Sequence, residues 1–349
     1  MQLFITKIKW IGQEAVLKNS DTLLIKKSSL SEVTSPVKDD LAVFRKFFKD
    51  EIRSDVFLLD KIIQYLLRQK GKEIRPAFVF MTARMFGKVD KRSFIAATMV
   101  ELMHTATLIH DDVVDEADKR RGFLSINKIW RNKAGVLLGD FLLSKGLLIA
   151  LEHKEYSLLH VLSDAVKKMS EGELRQLKTS NLSNMTEARY FQIISEKTAS
   201  LIAACCQCGA IAASNNESIA EAMHEIGLNI GIAFQIKDDL FDYGLDDIGK
   251  PTRNDIKERK VTLPFIYALD NAPATKQLQV RRLMRKRKKS AKDINRIVEF
   301  VHEYNGLEAA EKKMAEFTEH AMHSLRTLPI KKGFEDFEDL VRFIITRKK

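Results

Sequence analysis

VELMHTATLIHDDVVD, Val100–Asp115, is answered further along the chain by GIAFQIKDDLFD, Gly231–Asp242. Each is an apolar stretch that ends in carboxylates at positions i, i+1 and i+4: Asp111, Asp112 and Asp115 in the first, Asp238, Asp239 and Asp242 in the second. On a helix, i and i+4 lie one turn apart on one face, with i+1 about 100° round. Like charges at that spacing repel and weaken a helix by a few tenths of a kcal/mol per pair. A chain that does this twice, inside apolar surroundings, is expected to keep cations there. Carboxylates clustered without Cys or His as co-ligands suit hard, oxygen-loving ions, and Mg²⁺ characteristically keeps waters and bridges to phosphates. The pair of pentads therefore predicts a paired Mg²⁺–phosphate site.

Working outward, His104, Thr107, Asp111 and Asp115 share one helical face, as do Gln235, Asp238 and Asp242. Helical periodicity begins at Val37 with LAVFRKFFKDEI and VFLLDKIIQYLL. It continues through Phe94–Glu116, Gly135–Glu152, Ser157–Leu177, Glu187–Ser214 and Ala220–Tyr243, and from Pro264 to the end. Polar loops interrupt it at Arg68–Pro76 and Gly244–Lys260, and Gly122 closes a turn. With only 6 Pro and 15 Gly in 349 residues, helix breakers are scarce and an all-α fold is expected. We expect a single helical domain over residues 37–349, preceded by a Lys/Ser-rich extension, residues 1–36, that is accessory or weakly ordered.

Hydrophobic residues make up 45% of the chain, enough for a large core. No uncharged apolar run reaches 18 residues, so no transmembrane helix is expected. Cys205, Cys206 and Cys208 are too close together on one helix for disulfides or a tetrahedral zinc site, and read as small buried residues in a reducing cytoplasm. The net charge of +11 owes much to one run, Arg281–Lys289 (RRLMRKRKK). That run is read first as a solvated helix end, with an anionic lipid surface as the functional alternative. Nucleic acid is excluded as a partner, since no recognition motif or aromatic stacking pattern accompanies the run.

The basic counterparts of the pentads are spread along the chain. Arg120 and Arg121 follow the first pentad, and arginine suits bidentate recognition of phosphate oxygens. Gly71, Lys72 and Arg75 form a Gly-containing basic loop just before a helix that Pro76 can open. Lys197–Thr198 interrupts the apolar face of ISEKTASLIAACC, and Lys250 and Lys260 flank the loop after the second pentad. Taken singly, each is an ordinary exposed or snorkelling cation.

Together, GKEIRP, His104 followed by DDVVD and RRG, Lys197–Thr198, and FQIKDDLFD followed by GK and KVTLP resemble the trans-isoprenyl diphosphate synthases. The resemblance runs in order from about Val37 to the C-terminus. It implies a single-domain helical bundle around a deep central cavity, the isoprenoid synthase fold, usually a homodimer, with the two Asp motifs facing each other. It implies a cytoplasmic prenyltransferase that condenses isopentenyl diphosphate head-to-tail with an allylic diphosphate. Several Mg²⁺ ions, usually three, would be held by Asp111, Asp112, Asp115, Asp238, Asp239 and Asp242. These ions would draw off the allylic diphosphate to leave a carbocation. Lys72, Arg75, His104 and Arg121, with Gly71, match the isopentenyl diphosphate positions; Arg120, Lys197, Lys250 and Lys260 match those around the allylic diphosphate. Thr198 and Gln235 match positions whose oxygens face the developing cation, which assigns Lys197, Thr198 and Gln235 to the catalytic centre.

Product length is argued from the turns below Asp111. Thr107 and Ala106, one turn back, are small where short-chain relatives tend to carry aromatics, and Met103, two turns back, is flexible enough to be passed. The expected product is therefore long, heptaprenyl to decaprenyl and octaprenyl-like, for a quinone side chain, with peripheral membrane contact at the inner face for its release. Arg253 and Arg259 stand where relatives commonly have a small residue or Gly. The rival readings are a farnesyl- or geranylgeranyl-type synthase, a terpene cyclase, a non-catalytic partner subunit and a basic helical binding protein. A cyclase lacks the second DDxxD and the isopentenyl-binding cations, a partner subunit loses the Asp clusters, and a binding protein leaves the paired pentads unexplained.

Overall fold

The computed structural model describes residues 29–69, 71–120, 122–178, 185–244 and 253–347. Within them the fold is helical, apart from one two-stranded ribbon. In chain order the helices are α1 (Leu30–Val33), α2 (Lys38–Glu51), α3 (Phe57–Arg68), α4 (Ile74–Phe86), α5 (Lys91–Val114), α6 (Ile126–Glu152), α7 (Tyr156–Lys178) and α8 (Glu187–Ile194). There follow α9 (Ser200–Ser214), α10 (Glu217–Phe241), α11 (Asn254–Lys257), α12 (Leu263–Asn271), α13 (Ala274–Arg285), α14 (Ala291–Glu303), α15 (Gly306–Arg326) and α16 (Phe334–Thr346). Strands β1 (Lys119–Arg120) and β2 (Phe123–Leu124) pair antiparallel around Gly122, whose φ of +82° is the left-handed turn that glycine adopts without strain.

Helix α5 is apolar almost all round, and such a helix belongs at the centre of a bundle. It starts in a capping box between Asp90 and Ser93, and packs against α4, α6 and α9. Helix α9, built from Ala, Cys, Ile and Gly, is the partner of both α4 and α10. Its approach to α10 is close. A Cβ added at Gly231 would lie 2.5 Å from the Ala199 Cα, and one at Gly227 2.7 Å from the Ala203 Cα. Because α9 touches α5 and α10, it links the two helices that end in the pentads. A second hydrophobic cluster, around Tyr243, Leu263, Phe265, Ile297 and Val301, joins the end of α10 to α12, α13 and α14.

Three segments depart from the sequence expectation. The pattern taken as one helix over Glu187–Ser214 is broken by a π-helical turn, Ser195–Ala199. One wide turn leaves the apolar period almost intact, so it does not show in spacing. Helix α6 begins at Ile126 rather than Gly135 and breaks at Arg131, where φ is 68°. It is also long and apolar enough, by length and composition, to cross a membrane, because Asp140 and Lys145 interrupt its apolar run without ending it. Part of the expected extension is inside the body. Ser29 and Glu32 cap α1, α1 packs on α16, and Val33 is fully buried. Residues 1–28 lie outside the described residues.

Candidate active site

The first pentad ends α5, with Asp115 at its C-cap. Asp112 is buried, and Arg120 on β1 donates to it from Nε at 2.8 and 2.9 Å, with Nη2 at 2.8 Å. The β-ribbon folds Arg120 back toward α5: its strands, two residues each, pair across the Gly122 turn. Asn127 donates to the Asp112 carbonyl at 3.1 Å and ties the start of α6 to the same point. Asp111 is half-buried; burial raises its pKa, as does the charge of Glu173, while Lys197 and Arg120 oppose the rise. Arg120 and Lys197 are therefore near neighbours of the first pentad.

The second pentad ends α10. Asp239, only 3% exposed, accepts from Gln235 Nε2 at 2.9 Å and from the Tyr190 hydroxyl at 2.7 Å. Burial pushes its carboxyl up to about 7, although both hydrogen bonds pull it down. Asp242, also buried, accepts from the backbone N–H of Asp255 at 2.6 Å. Asp255 is itself pushed up to about 6, first by burial and then by the charge of Asp242. Asp238 is raised by burial, opposed by Arg347, Lys72 and Lys237. Four carboxylates thus crowd one pole of the bundle with too little positive charge around them.

Between the two pentads stands the π-helical turn. It places Lys197 and Thr198 out of step with α8 and α9, and turns of this kind occur often at functional sites. Lys197 Nζ donates to Gln176 Oε1 at 2.8 Å and pairs with Glu173, both on α7. The Thr198 hydroxyl donates to Gln235 Oε1 at 2.8 Å. A continuous polar line, Thr198–Gln235–Asp239–Tyr190, therefore runs from the turn to the second pentad.

Beside the first pentad lies a cavity of about 910 Å³, lined among others by Gly71, Glu73, His104, Asp112, Arg120 and Ser125. Lys72 is close enough to Asp238 to lower its pKa, so the loop before α4 reaches the second pentad. Lys260 pairs with Glu258 at 2.8 Å and Asp255 at 3.8 Å, and also feels Asp115. Arg75 sits deeper, near enough to Cys205 to act on its thiol. Met103 and Ala106 are buried on other faces of α5, away from that cavity, and Gly146 of α6 lies beside Met103. Thr107 is half-buried, and its hydroxyl donates to the His104 carbonyl at 2.8 Å. Arg121 and Lys250 lie outside the described residues.

Sequence reasoning missed five neighbours of the site. Glu173 and Gln176 on α7 were legible only as part of a helical pattern, although their spacing of three shares a face. Tyr190 and Asp255 carried no motif. Arg347, at the C-cap of α16, pairs with Asp238 and lies 4.4 Å above the Phe234 ring, a meeting that only the fold brings about.

All-carboxylate oxygen donors at both pentads suit hard divalent cations, and the raised pKa values mark negative charge that such ions would neutralise. Among the described residues no three Asp, Glu, His or Cys are gathered tightly enough to close a metal site alone. Further oxygens, from a ligand or water, are needed to complete it, as for Mg²⁺ on a phosphate.

Comparison with known proteins agrees with this geometry. The polyprenyl synthetase family model matches residues 56–301. The chain is 32% identical over 303 residues to octaprenyl diphosphate synthase of Haemophilus influenzae, covering 86% of this chain and 92% of that one. The crystal structure of a decaprenyl diphosphate synthase from Rhodobacter capsulatus superposes with a TM-score of 0.86 at 30% identity, over 92% of this chain and 100% of that one. A polyprenyl synthase from Caulobacter crescentus, complexed with calcium and isoprenyl diphosphate, superposes with a TM-score of 0.83 at 32% identity, over 93% and 100%.

Proposed function

The chain belongs to the polyprenyl synthetase family and is a long-chain all-trans polyprenyl diphosphate synthase, a prenyltransferase, and from that premise we propose how its own residues act. The observation that carries the proposal is the state of Asp239, buried at the end of an apolar helix with its carboxyl pushed up to about 7. Such a site is built to receive positive charge. Asp111, Asp112, Asp115, Asp238, Asp239 and Asp242 would hold several Mg²⁺ ions, usually three in the family, which when bound stabilise the negative charge of the departing diphosphate.

The remaining roles belong to side chains. Lys197 of the π-helical turn, Arg120 of the β-ribbon and Lys260 of the loop after α11 would surround the allylic diphosphate, and Lys250 would join them. Until substrate arrives these cations rest on acids of the chain itself: Lys197 on Glu173, Arg120 on Asp112 and Lys260 on Glu258. Gly71 and His104, which line the cavity beside the first pentad, would bind isopentenyl diphosphate together with Lys72, Arg75 and Arg121. Because Thr198 spends its proton on Gln235, its lone pairs stay free to face the developing allylic cation. The apolar walls of α5, α9 and α10 keep water from that cation. No protein nucleophile takes part, and the proton released on condensation would pass to the diphosphate.

The product proposed is an all-trans chain of heptaprenyl to decaprenyl length, octaprenyl-like, serving a quinone, and delivered to the inner face of a membrane by a cytoplasmic enzyme. Ala106, fully buried, and Thr107, half-buried, are the small residues one turn below Asp111 that would leave the growing tail room to pass. Mass spectrometry of products from isopentenyl and farnesyl diphosphates with Mg²⁺ tests the activity, and absence of Mg²⁺-dependent elongation would sink it. Ala106→Phe and Thr107→Phe should each shorten the product by about one isoprene unit or more, since each ring would obstruct a turn of ~5.4 Å. Unchanged length in both variants would overturn the chain-length argument.

A further inference from the structure

Between Asp270 and Asp293 the chain has no acidic residue and nine lysines or arginines, so this short stretch carries nine of the eleven net positive charges of the whole protein. The fold gathers them on one surface. Helix α13 is anchored by Val280 and Met284, which are buried, while Lys276, Arg282 and Arg285 are exposed. The loop to α14 adds Lys286, Arg287 and Lys288, all exposed. Lys286 has a partner, Asp293, at 2.8 Å. Among the described residues Arg282, Arg285, Arg287, Lys288 and Lys292 have no acidic partner.

Two further cations join the cluster from the loop after the second pentad. Arg253 donates to Asn295 of α14. Arg259 lies near Lys289, whose pKa is lowered by burial first and by the Arg259 charge next. Both arginines hold left-handed backbone, with φ of 48° and 64°, where glycine would be unstrained. Like charges are thus crowded together, two of them at positions that cost backbone strain, and Arg282, Arg285, Arg287, Lys288 and Lys292 have no acidic partner among the described residues. An external polyanion removes that imbalance.

We propose that the α13–α14 face, extended by Arg253 and Arg259, docks the enzyme on an anionic lipid bilayer. The proposal rests on the long-chain product assigned above, whose apolar tail must leave for a membrane. Charge complementarity decides the partner class: juxtamembrane cations gain from the negative potential of the cytoplasmic leaflet. Leu278, 68% exposed, sits four residues before Arg282 and seven before Arg285, on the same face, and supplies an apolar contact for the interface. Nucleic acid is disfavoured, since no Phe, Tyr or Trp lies between Tyr267 and Phe300 to stack on bases.

The test is co-sedimentation of the full chain with vesicles of phosphatidylcholine, alone or with about 30% phosphatidylglycerol. Wild type should pellet with the anionic vesicles, stay in solution with neutral ones, and detach as salt rises from about 0.1 M to about 1 M. The triple variant Arg282→Glu, Arg285→Glu, Lys288→Glu should bind at least about tenfold more weakly, while Lys at both arginine positions should keep binding. Elongation of farnesyl diphosphate, measured in detergent, should be unchanged in both variants, which also shows that they fold. Equal binding to neutral and anionic vesicles, wild-type binding by the charge-reversed variant, or tighter binding to a DNA duplex than to the vesicles would each overturn the proposal. A wild type that pellets with anionic vesicles but elongates nothing would overturn the enzymatic reading instead.

Discussion

Asp239 holds two donors, Gln235 and Tyr190, yet remains a poor place for a charge because it is buried. Its carboxyl at about 7 and that of Asp255 at about 6 are raised above ordinary carboxylates. An acid raised in the folded state binds protons more tightly there than in the unfolded chain. Its contribution to stability is therefore lost as pH rises from about 4 through the folded value, near 7 for Asp239, at most on the order of 4 kcal/mol. The metal-free protein should melt lower at pH 8 than at pH 6 by scanning calorimetry, and Mg²⁺ with a diphosphate should remove most of that difference. A melting temperature that rises from pH 6 to pH 8 without metal contradicts the assignment. The thiols make the opposite case of burial without function. Desolvation pushes the Cys205 thiol up to about 12 and raises those of Cys206 and Cys208 well above the ordinary thiol value. With the thiolate absent and the sulfur buried, native protein should leave all three cysteines unreacted with a disulfide reagent at pH 8, and denatured protein should react at three. The acidic residues of the site were legible in the sequence because helical spacing alone puts i and i+4 on one face. Their protonation was not, since it depends on neighbours such as Tyr190 and Asp255, which no local pattern connects to them.

At the scale of elements, the close packing of α9 on α10 sets the distance between Thr198 and Gln235. Gly231 stands one turn before Gln235 and directly against Ala199, at the end of the π-helical turn that carries Thr198. Gly231→Ala would drive a methyl into the Ala199 backbone, which cannot yield as a flexible side chain can. We expect a loss of about 1–3 kcal/mol in stability and a larger relative fall in turnover, as Gln235 and Thr198 part. Denaturant unfolding measured beside elongation kinetics checks this; a variant with wild-type turnover would separate the glycine from the site. Helices α5 and α10 were readable from apolar runs and their acidic ends. The π-turn was not, nor the kink at Arg131, because one displaced residue scarcely alters a 3.6-residue period.

At the scale of the whole molecule, the long α6 presents leucines outward. Leu137 is 69% exposed, and Val136, Leu147, Leu148 and Leu151 are exposed with it. We propose that this face pairs with a second copy in a homodimer, which explains an apolar helix only partly buried in its own chain. Leu137→Asp should convert a dimer into a monomer by light scattering; a wild type that is monomeric at micromolar concentration rules the pairing out. The sequence by itself determined the all-α class, the two acidic helix ends and the oxygen donors they offer, because those follow from spacing and residue type. Only the tertiary structure decided which groups meet: Arg120 folded onto Asp112, Lys197 held by Glu173 and Gln176, Arg347 brought from the far end of the chain onto Asp238. The physical reason is that such pairs are made by packing. Helices distant in the chain are set side by side by the apolar surfaces they bury, and the polar groups at their ends meet as a consequence.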